Sequence, residues 1–354
     1  MSSRLAPLVA LAMMVLTACG VASSDVTTAK KIALLLPGTG DRYESQDLPA
    51  FSDKLTRLCS GCQVLYSAAK QGADQEAQAK TAITGGAGVI VLDPVDATAA
   101  ATIVADAKAA HIPVISYDGM VMNTADLSYY VGFDKTAVGG LQGTALLTAI
   151  GTKANPNIVE INGDANDKDA TIFKTGAHGV LDGKVHFLKE YSTPGSKQAD
   201  AQAEMLNALS VLGRTKLDGV LAAGDGIAAG AITAMKNNGL KPLPPVTGQG
   251  AELDAIQRIV AGEQYMTVYG SIRMEAETAA QLAYDLAFGV AVPASMTNGS
   301  AVNNGMADVP SALVTPVAIT KGNIESTVVA DGFWSAEEVC TSQFISACAA
   351  AGIA

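Results

Sequence analysis

The chain predicts an α/β protein built as two doubly wound, Rossmann-like lobes. Three observations carry this. Short apolar runs of strand length alternate with helical segments from residue 31 onward, and the alternation restarts after residue 134. The runs are apolar throughout rather than at alternate positions, which marks parallel strands covered on both faces. At 354 residues, the chain exceeds the usual size of a single core.

The elements follow in order. Lys31 to Leu36 is an apolar strand, 46–58 a helix and Gln63 to Ser67 a strand. Residues 73–84 form a helix ended by Gly85-Gly86, followed by a strand over Gly88 to Asp93. Asp96 can cap a helix over 97–110 through its side-chain oxygen. Strands at Ile112 to Tyr117 and Tyr129 to Gly132 close the first set. The second set alternates helices at 136–150, 169–181, 198–212, 226–238 and 252–261 with strands at 157–161, 185–188, 219–223, 245–247 and 265–269. A long helix over 273–289 follows, and residues 311–320 and 326–329 read as extended. No low-complexity linker separates the sets, and the late helix can return the chain to the first lobe. The expected division is 31–134 with 270–312 for one lobe, 135–269 with 313–334 for the other, and a tail over 335–354. Open α/β sheets bind ligands beyond the C-terminal ends of their strands, so two facing lobes make a cleft.

The N-terminus speaks to location. Arg4, the short apolar run from Leu5 to Leu16 and the small residues Thr17 and Ala18 form a secretory signal. Leu16-Thr17-Ala18-Cys19 resembles the bacterial lipobox, which implies removal of 1–18, lipidation of Cys19 and a tether over 19–30. The other reading is an ordinary signal peptide with an incidental cysteine. The run is shorter than the ~20 residues that span a bilayer. The expected site is the outer face of the cytoplasmic membrane, reached through acyl chains, or the periplasm.

Composition narrows the partners. Net charge is −11, with 34 acidic and 23 basic residues. Nucleic acid calls for basic patches, and anionic lipid for a polybasic segment; neither is present. Besides Cys19, the cysteines fall in two close pairs, Cys59/Cys62 and Cys340/Cys348. In an exported chain these read as local disulfides, with a redox CxxC or half a zinc site as alternatives for the first pair.

Catalytic chemistry is missing from the text. His111, His178 and His186 are scattered, and there is no HExxH, Gly-x-Ser-x-Gly or P-loop. Gly224-Asp225-Gly226 with Gly230 is one residue too long for the dinucleotide fingerprint. Asp93 and Asp96 could form an acid/base pair, though Asp96 reads more simply as a cap. Asp167 and Asp169 flank Lys168, which partly neutralises them. No metal site, cofactor or enzymatic activity is expected.

Several strings then carry a family look: Leu92-Asp93-Pro94, Ser116-Tyr117-Asp118, Val131-Gly132-Phe133-Asp134, Thr247-Gly248-Gln249, Gln264 to Tyr269, Asn303 to Ser311, Leu313 to Pro316, and Asp331-Gly332-Phe333. Over about residues 31–334 the chain resembles the substrate-binding proteins of bacterial sugar ABC importers, in the xylose-binding branch of the ribose/xylose-type group. The resemblance implies a type I periplasmic-binding-protein (Venus-flytrap) fold with a three-segment hinge near 133–136, 267–271 and 311–316. It also implies a monomer that holds a sugar, polyol or glycoside and docks on an ABC permease.

The resemblance places ligand contacts at Arg42 and Tyr43 in the first loop and at Asp118, Asp169, Asp225 and Gln249. Four other contact positions depart from the family. Gly119 stands for an arginine, Gly224 for an asparagine, Gly250 for an aspartate and Gly270 for a lysine. The family's stacking tryptophan falls near Thr193 to Ser196, without an aromatic. The glycines leave room for a bulkier ligand, or signal other ligand chemistry, or mark a site stripped of affinity. D-Xylose is expected to bind weakly or not at all. Asp225 has a second reading as the cap of helix 226–238. A sugar-sensing receptor facing a membrane partner is the alternative function.

Overall fold

The computed structural model describes residues 30–38, 42–213 and 217–353. Residues 1–18, Cys19 and most of the expected tether lie outside the described residues. The first set runs β1 (Lys31–Pro37), a turn of π-helix (Tyr43–Asp47), α1 (Leu48–Leu58), β2 (Gln63–Ala69), α2 (Gly72–Thr84), β3 (Val89–Leu92), α3 (Ala101–Ala109), β4 (Val114–Tyr117) and β5 (Tyr129–Phe133). The second runs α4 (Lys135–Ile150), β6 (Asn157–Asn162), α5 (Lys168–Leu181), β7 (His186–Ser192), α6 (Gln198–Leu212), β8 (Gly219–Ala222), α7 (Asp225–Asn237), α8 (Leu253–Ala261) and β9 (Met266–Tyr269). Then come α9 (Ile272–Phe288), β10 (Ala301–Asn303), β11 (Asp308–Val314), β12 (Val317–Thr320), α10 (Ala336–Val339) and α11 (Ile345–Ala351).

The first sheet has the order β10-β11-β5-β4-β3-β1-β2, parallel except for the β10–β11 hairpin. Ile32 to Leu36 of β1 and Val89 to Leu92 of β3 are fully buried. Each Val, Leu or Ile side chain among them withdrawn from water contributes about 1.5–3 kcal/mol before entropy. α9 and α1 cover one face, and α2 and α3 the other. The second sheet has the order β7-β6-β8, and β9 pairs antiparallel with β12. Residues 245–250 stitch these together. Val220 N–H bonds Pro245 O, Tyr265 N–H bonds Val246 O, and Gly250 N–H bonds Val268 O. The strand expected over 245–247 is thus a bridging segment with one isolated bridge, Val220 to Val246.

The chain passes between the sheets at β5–α4, β9–α9 and β11–β12. β11 keeps pairing with β5 through Val314 and Phe133, so the last crossing is Thr315-Pro316 rather than the expected break after 312.

Other expectations need correcting. Residues 326–329 are not extended; Glu325–Val329 is a turn of π-helix. Ile324 and Val328 are fully buried while Ser326 between them is exposed; a helical turn achieves this, whereas a strand would put all three on one face. Residues 97–100 form turns and the helix proper begins at Ala101. Asp96 does accept the Thr98 and Ala99 N–H groups, at 2.9 and 2.8 Å. The expected tail is packed: Val339, Cys348 and Ile353 join the core formed by α8 and β9. Disulfides join Cys59 to Cys62 and Cys340 to Cys348.

Candidate functional site

A cleft of about 660 Å³ opens between the two sheets, at the C-terminal ends of their parallel strands. β3 leads into Asp93, β4 into Asp118 and Gly119, and β5 ends at Phe133; the second lobe supplies Lys135, Asp167, Asp169, Phe173, Gln249 and Gly250.

Local geometry aims these groups. α4 and α5 cross so closely that a Cβ on Gly139 would lie 1.8 Å from Phe173 O, and one on Gly176 2.1 Å from Thr136 O. Only glycine permits that approach. The crossing brings the first turns together, and Lys135 Nζ meets Asp169 Oδ2 at 2.6 Å. Gln142, buried on α4, donates to Ala222 O at 3.0 Å and Gly248 O at 3.1 Å, tying the strand ends in place.

On the first lobe, Arg42 is the hub. Its Nε and Nη2 reach both oxygens of Asp47, at 3.2 and 3.1 Å. Nη2 also lies 3.0 Å from Asp118 and 3.7 Å from Glu275. Burial opposes its charge, but Asp118 and Asp47 outweigh that and hold its proton more firmly than usual. Tyr117 donates to Asp47 at 2.6 Å. Asp118 sits at φ +53°, a left-handed conformation that short polar residues tolerate. Burial, then the Asp118 charge, pushes the Asp93 and Glu275 carboxyls well above their ordinary range.

Seven of the ten residues expected to contact ligand line this cleft: Arg42, Asp118, Gly119, Asp169, Gln249, Gly250 and Gly270. Tyr43 faces a separate recess under β2, with its hydroxyl near Asp93. Gly224 and Asp225 border a smaller recess of about 220 Å³ that shares Asp167, Phe173 and Gln249 with the cleft. The Asp225 side chain is 1 % exposed and binds Gln264 Nε2 at 2.8 Å, Thr267 Oγ1 at 2.9 Å and Glu252 N at 3.0 Å. It is a knot joining α7, β9 and the start of α8; it does not cap α7.

The glycines are not equivalent. A Cβ on Gly224 or Gly250 would have its nearest contact at 3.8 or 3.7 Å, although Gly250 sits at φ +120°. A Cβ on Gly270 would lie 2.5 Å from the Phe133 ring, and one on Gly119 2.9 Å from Asp93. The space at 119 and 270 is therefore already filled.

Sequence reasoning missed the aromatic wall. Phe133, Phe173, Phe333 and Trp334 all line the cleft. The Tyr269 ring packs tilted against Phe333, centroids 4.9 Å apart, Phe333 meets Trp334 edge-on at 5.2 Å, and Trp334 Nε1 donates to Ala251 O at 2.8 Å. Ser271 donates to Asp331 at 2.5 Å, and the Tyr269 hydroxyl binds the same carboxylate. These bonds fix the segment carrying Phe333 at the hinge. Trp334 is the only tryptophan in the chain, a signal the sequence offered.

Comparison with known proteins agrees with this architecture. Residues 32–290 match the family described as periplasmic binding protein domain. The D-xylose-binding periplasmic protein of Escherichia coli is 36 % identical over 270 residues, covering 75 % of this chain and 79 % of that protein. The multiple sugar-binding periplasmic receptor ChvE of Rhizobium radiobacter is 31 % identical over 285 residues, covering 75 % and 80 %. Among solved structures, an ABC transporter solute-binding protein from Clostridium phytofermentans with bound β-D-glucose superposes with a TM-score of 0.73 at 25 % identity, covering 88 % of this chain and all of that one. The chain belongs to the periplasmic binding protein family.

Proposed function

We propose that this chain is the extracytoplasmic solute-binding component of an ABC importer, capturing a sugar or sugar-like solute between its lobes and delivering it to a permease. The observation that carries this is the cleft itself. Carboxylates and an amide side chain stand at the strand ends of two hinged lobes, with four aromatic rings beside them. Aromatic faces pack against the C–H faces of a sugar ring while its hydroxyls donate to carboxylates. A volume near 660 Å³ suits a small ligand largely enclosed after closure. Hinge motion at the three crossings brings the walls together. The names of the relatives support the same solute class. Lipid anchoring through Cys19, a monomeric state and closure without chemical conversion belong to this reading.

The test is a thermal-shift screen with sugars, polyols and cyclitols. A true ligand raises the melting point by mass action. Failure of every member of the panel overturns the reading. A second reading, presentation of bound solute to a membrane sensor, is favoured by the 31 % identity to a protein named as a receptor. Loss of solute uptake on deleting this chain supports import; unchanged uptake with a lost transcriptional response supports sensing.

A further inference from the structure

The cleft is out of charge balance. Asp93, Asp118, Asp167 and Asp169 line it, and Asp47 and Glu275 stand directly behind Arg42. Among the described residues, its lining cations are Arg42 and Lys135. Both are engaged already, Arg42 by Asp47 and Asp118 and Lys135 by Asp169. Asp167 accepts the Asp169 N–H at 2.9 Å. That leaves Asp93. It is 4 % exposed; the Gly119 N–H reaches its Oδ1 at 3.3 Å and the Tyr43 hydroxyl stands beside it, while its Oδ2 makes no hydrogen bond. Both oxygens of the fully buried Glu275 make no hydrogen bond either, with Arg42 Nη2 3.7 Å away as the nearest cation. A buried carboxylate lacking a partner is destabilising, and a neutral hydroxyl relieves the hydrogen-bond deficit without touching the charge. An ammonium supplies the charge together with three donors.

We propose that the cleft takes a carbohydrate or cyclitol bearing a protonated amine, with the ammonium seated on Asp93. This rests on the reading of the cleft as a sugar-type site and names the ligand class. Without such a ligand, protons do the same work. Arg42 and the Tyr43 hydroxyl favour the charged form of Asp93, but burial and the Asp118 charge outweigh them. At Glu275 burial and the charges of Asp118, Asp47 and Asp93 likewise favour the protonated form and outweigh the opposing pull of Arg42. Binding of an ammonium then drives protons off these carboxyls. The affinity for the amine rises with pH until the ligand's own amine deprotonates.

The experiment is calorimetric titration of the purified protein, near neutral pH and at low salt, with matched pairs: D-glucose and D-glucosamine, D-galactose and D-galactosamine, and myo-inositol and an amino-deoxyinositol. At least one amine is expected to bind about tenfold tighter than its neutral partner, equivalent to about 1.4 kcal/mol. Its apparent enthalpy changes with the ionisation enthalpy of the buffer, reporting proton release. In Asp93→Asn, checked for an intact melting transition, the amine's advantage disappears. The buffer dependence is read on the unaltered protein and stands even if that variant does not fold. A neutral sugar binding as tightly as its amine overturns this proposal and leaves the solute-binding reading intact. No binding by any amine, sugar or polyol overturns both.

Discussion

Asp225 separates a structural role from a ligand contact, and the two roles predict opposite results. Asp225→Ala removes the acceptor of three donors: Gln264 Nε2, Thr267 Oγ1 and Glu252 N. Gln264 Nε2 keeps a bond to Met266 O at 3.1 Å, so two donors lose their acceptor. The site is 1 % exposed, and water does not readily replace the carboxylate. Each buried donor left unsatisfied costs about 1–3 kcal/mol, so the variant should lose about 4 kcal/mol. Against a typical folding stability of about 5–15 kcal/mol, that is a large fraction. Urea denaturation followed by far-ultraviolet circular dichroism measures the loss, and a thermal shift with a solute that binds the parent protein reads the site. The expected outcome is a much lower midpoint with the solute-induced shift retained. Unchanged stability together with a lost shift would refute the structural account and return Asp225 to the ligand.

Three further perturbations have definite outcomes. Gly270→Ala drives a Cβ to 2.5 Å from the Phe133 ring and should destabilise by about 1–3 kcal/mol, with Phe133→Leu in the same chain restoring most of it; additive losses in the double variant contradict the packing argument. The ligand-free protein should melt higher near pH 5.5 than near pH 8, by circular dichroism. Buried Asp93, Glu275 and Asp225 and the Glu160-paired His178 all hold their protons more firmly when folded, so the stability they lend is present at low pH and is lost as pH rises; a higher melting point at alkaline pH would contradict this. Replacing Cys340 and Cys348 by Ser should lower stability by about 2–4 kcal/mol, because the bridge staples α10 and α11 onto the second lobe's core; a melting point equal to the parent's would show the segment packs without it.

Much of the fold was legible because burial on both faces leaves a plain mark. The runs around Ile32 to Leu36 and Val89 to Leu92 have no polar phase, and only a doubly covered parallel strand buries every position. Residues 326–329 were misread for a related reason. Thr327, Val328 and Val329 carry β-branched propensity, but Ile324 and Val328 are buried with Ser326 between them exposed, the pattern of a helical turn against the core. The site was legible in its backbone positions and less so in its volume. Gly119 and Gly270 show in the sequence as absent side chains; that Asp93 and Phe133 fill those spaces depends on tertiary packing. Phe333 and Trp334 reach the cleft from beyond the last strand, through a segment pinned by Asp331, and nothing in local periodicity brings them there.

Small-angle X-ray scattering reads the closure of the lobes in solution. With the solute giving the largest thermal shift at saturation, closure of the two lobes about their three crossings should reduce the radius of gyration and sharpen the pair-distance distribution. A profile superimposable on that of the ligand-free protein, with the solute demonstrably bound, would contradict it.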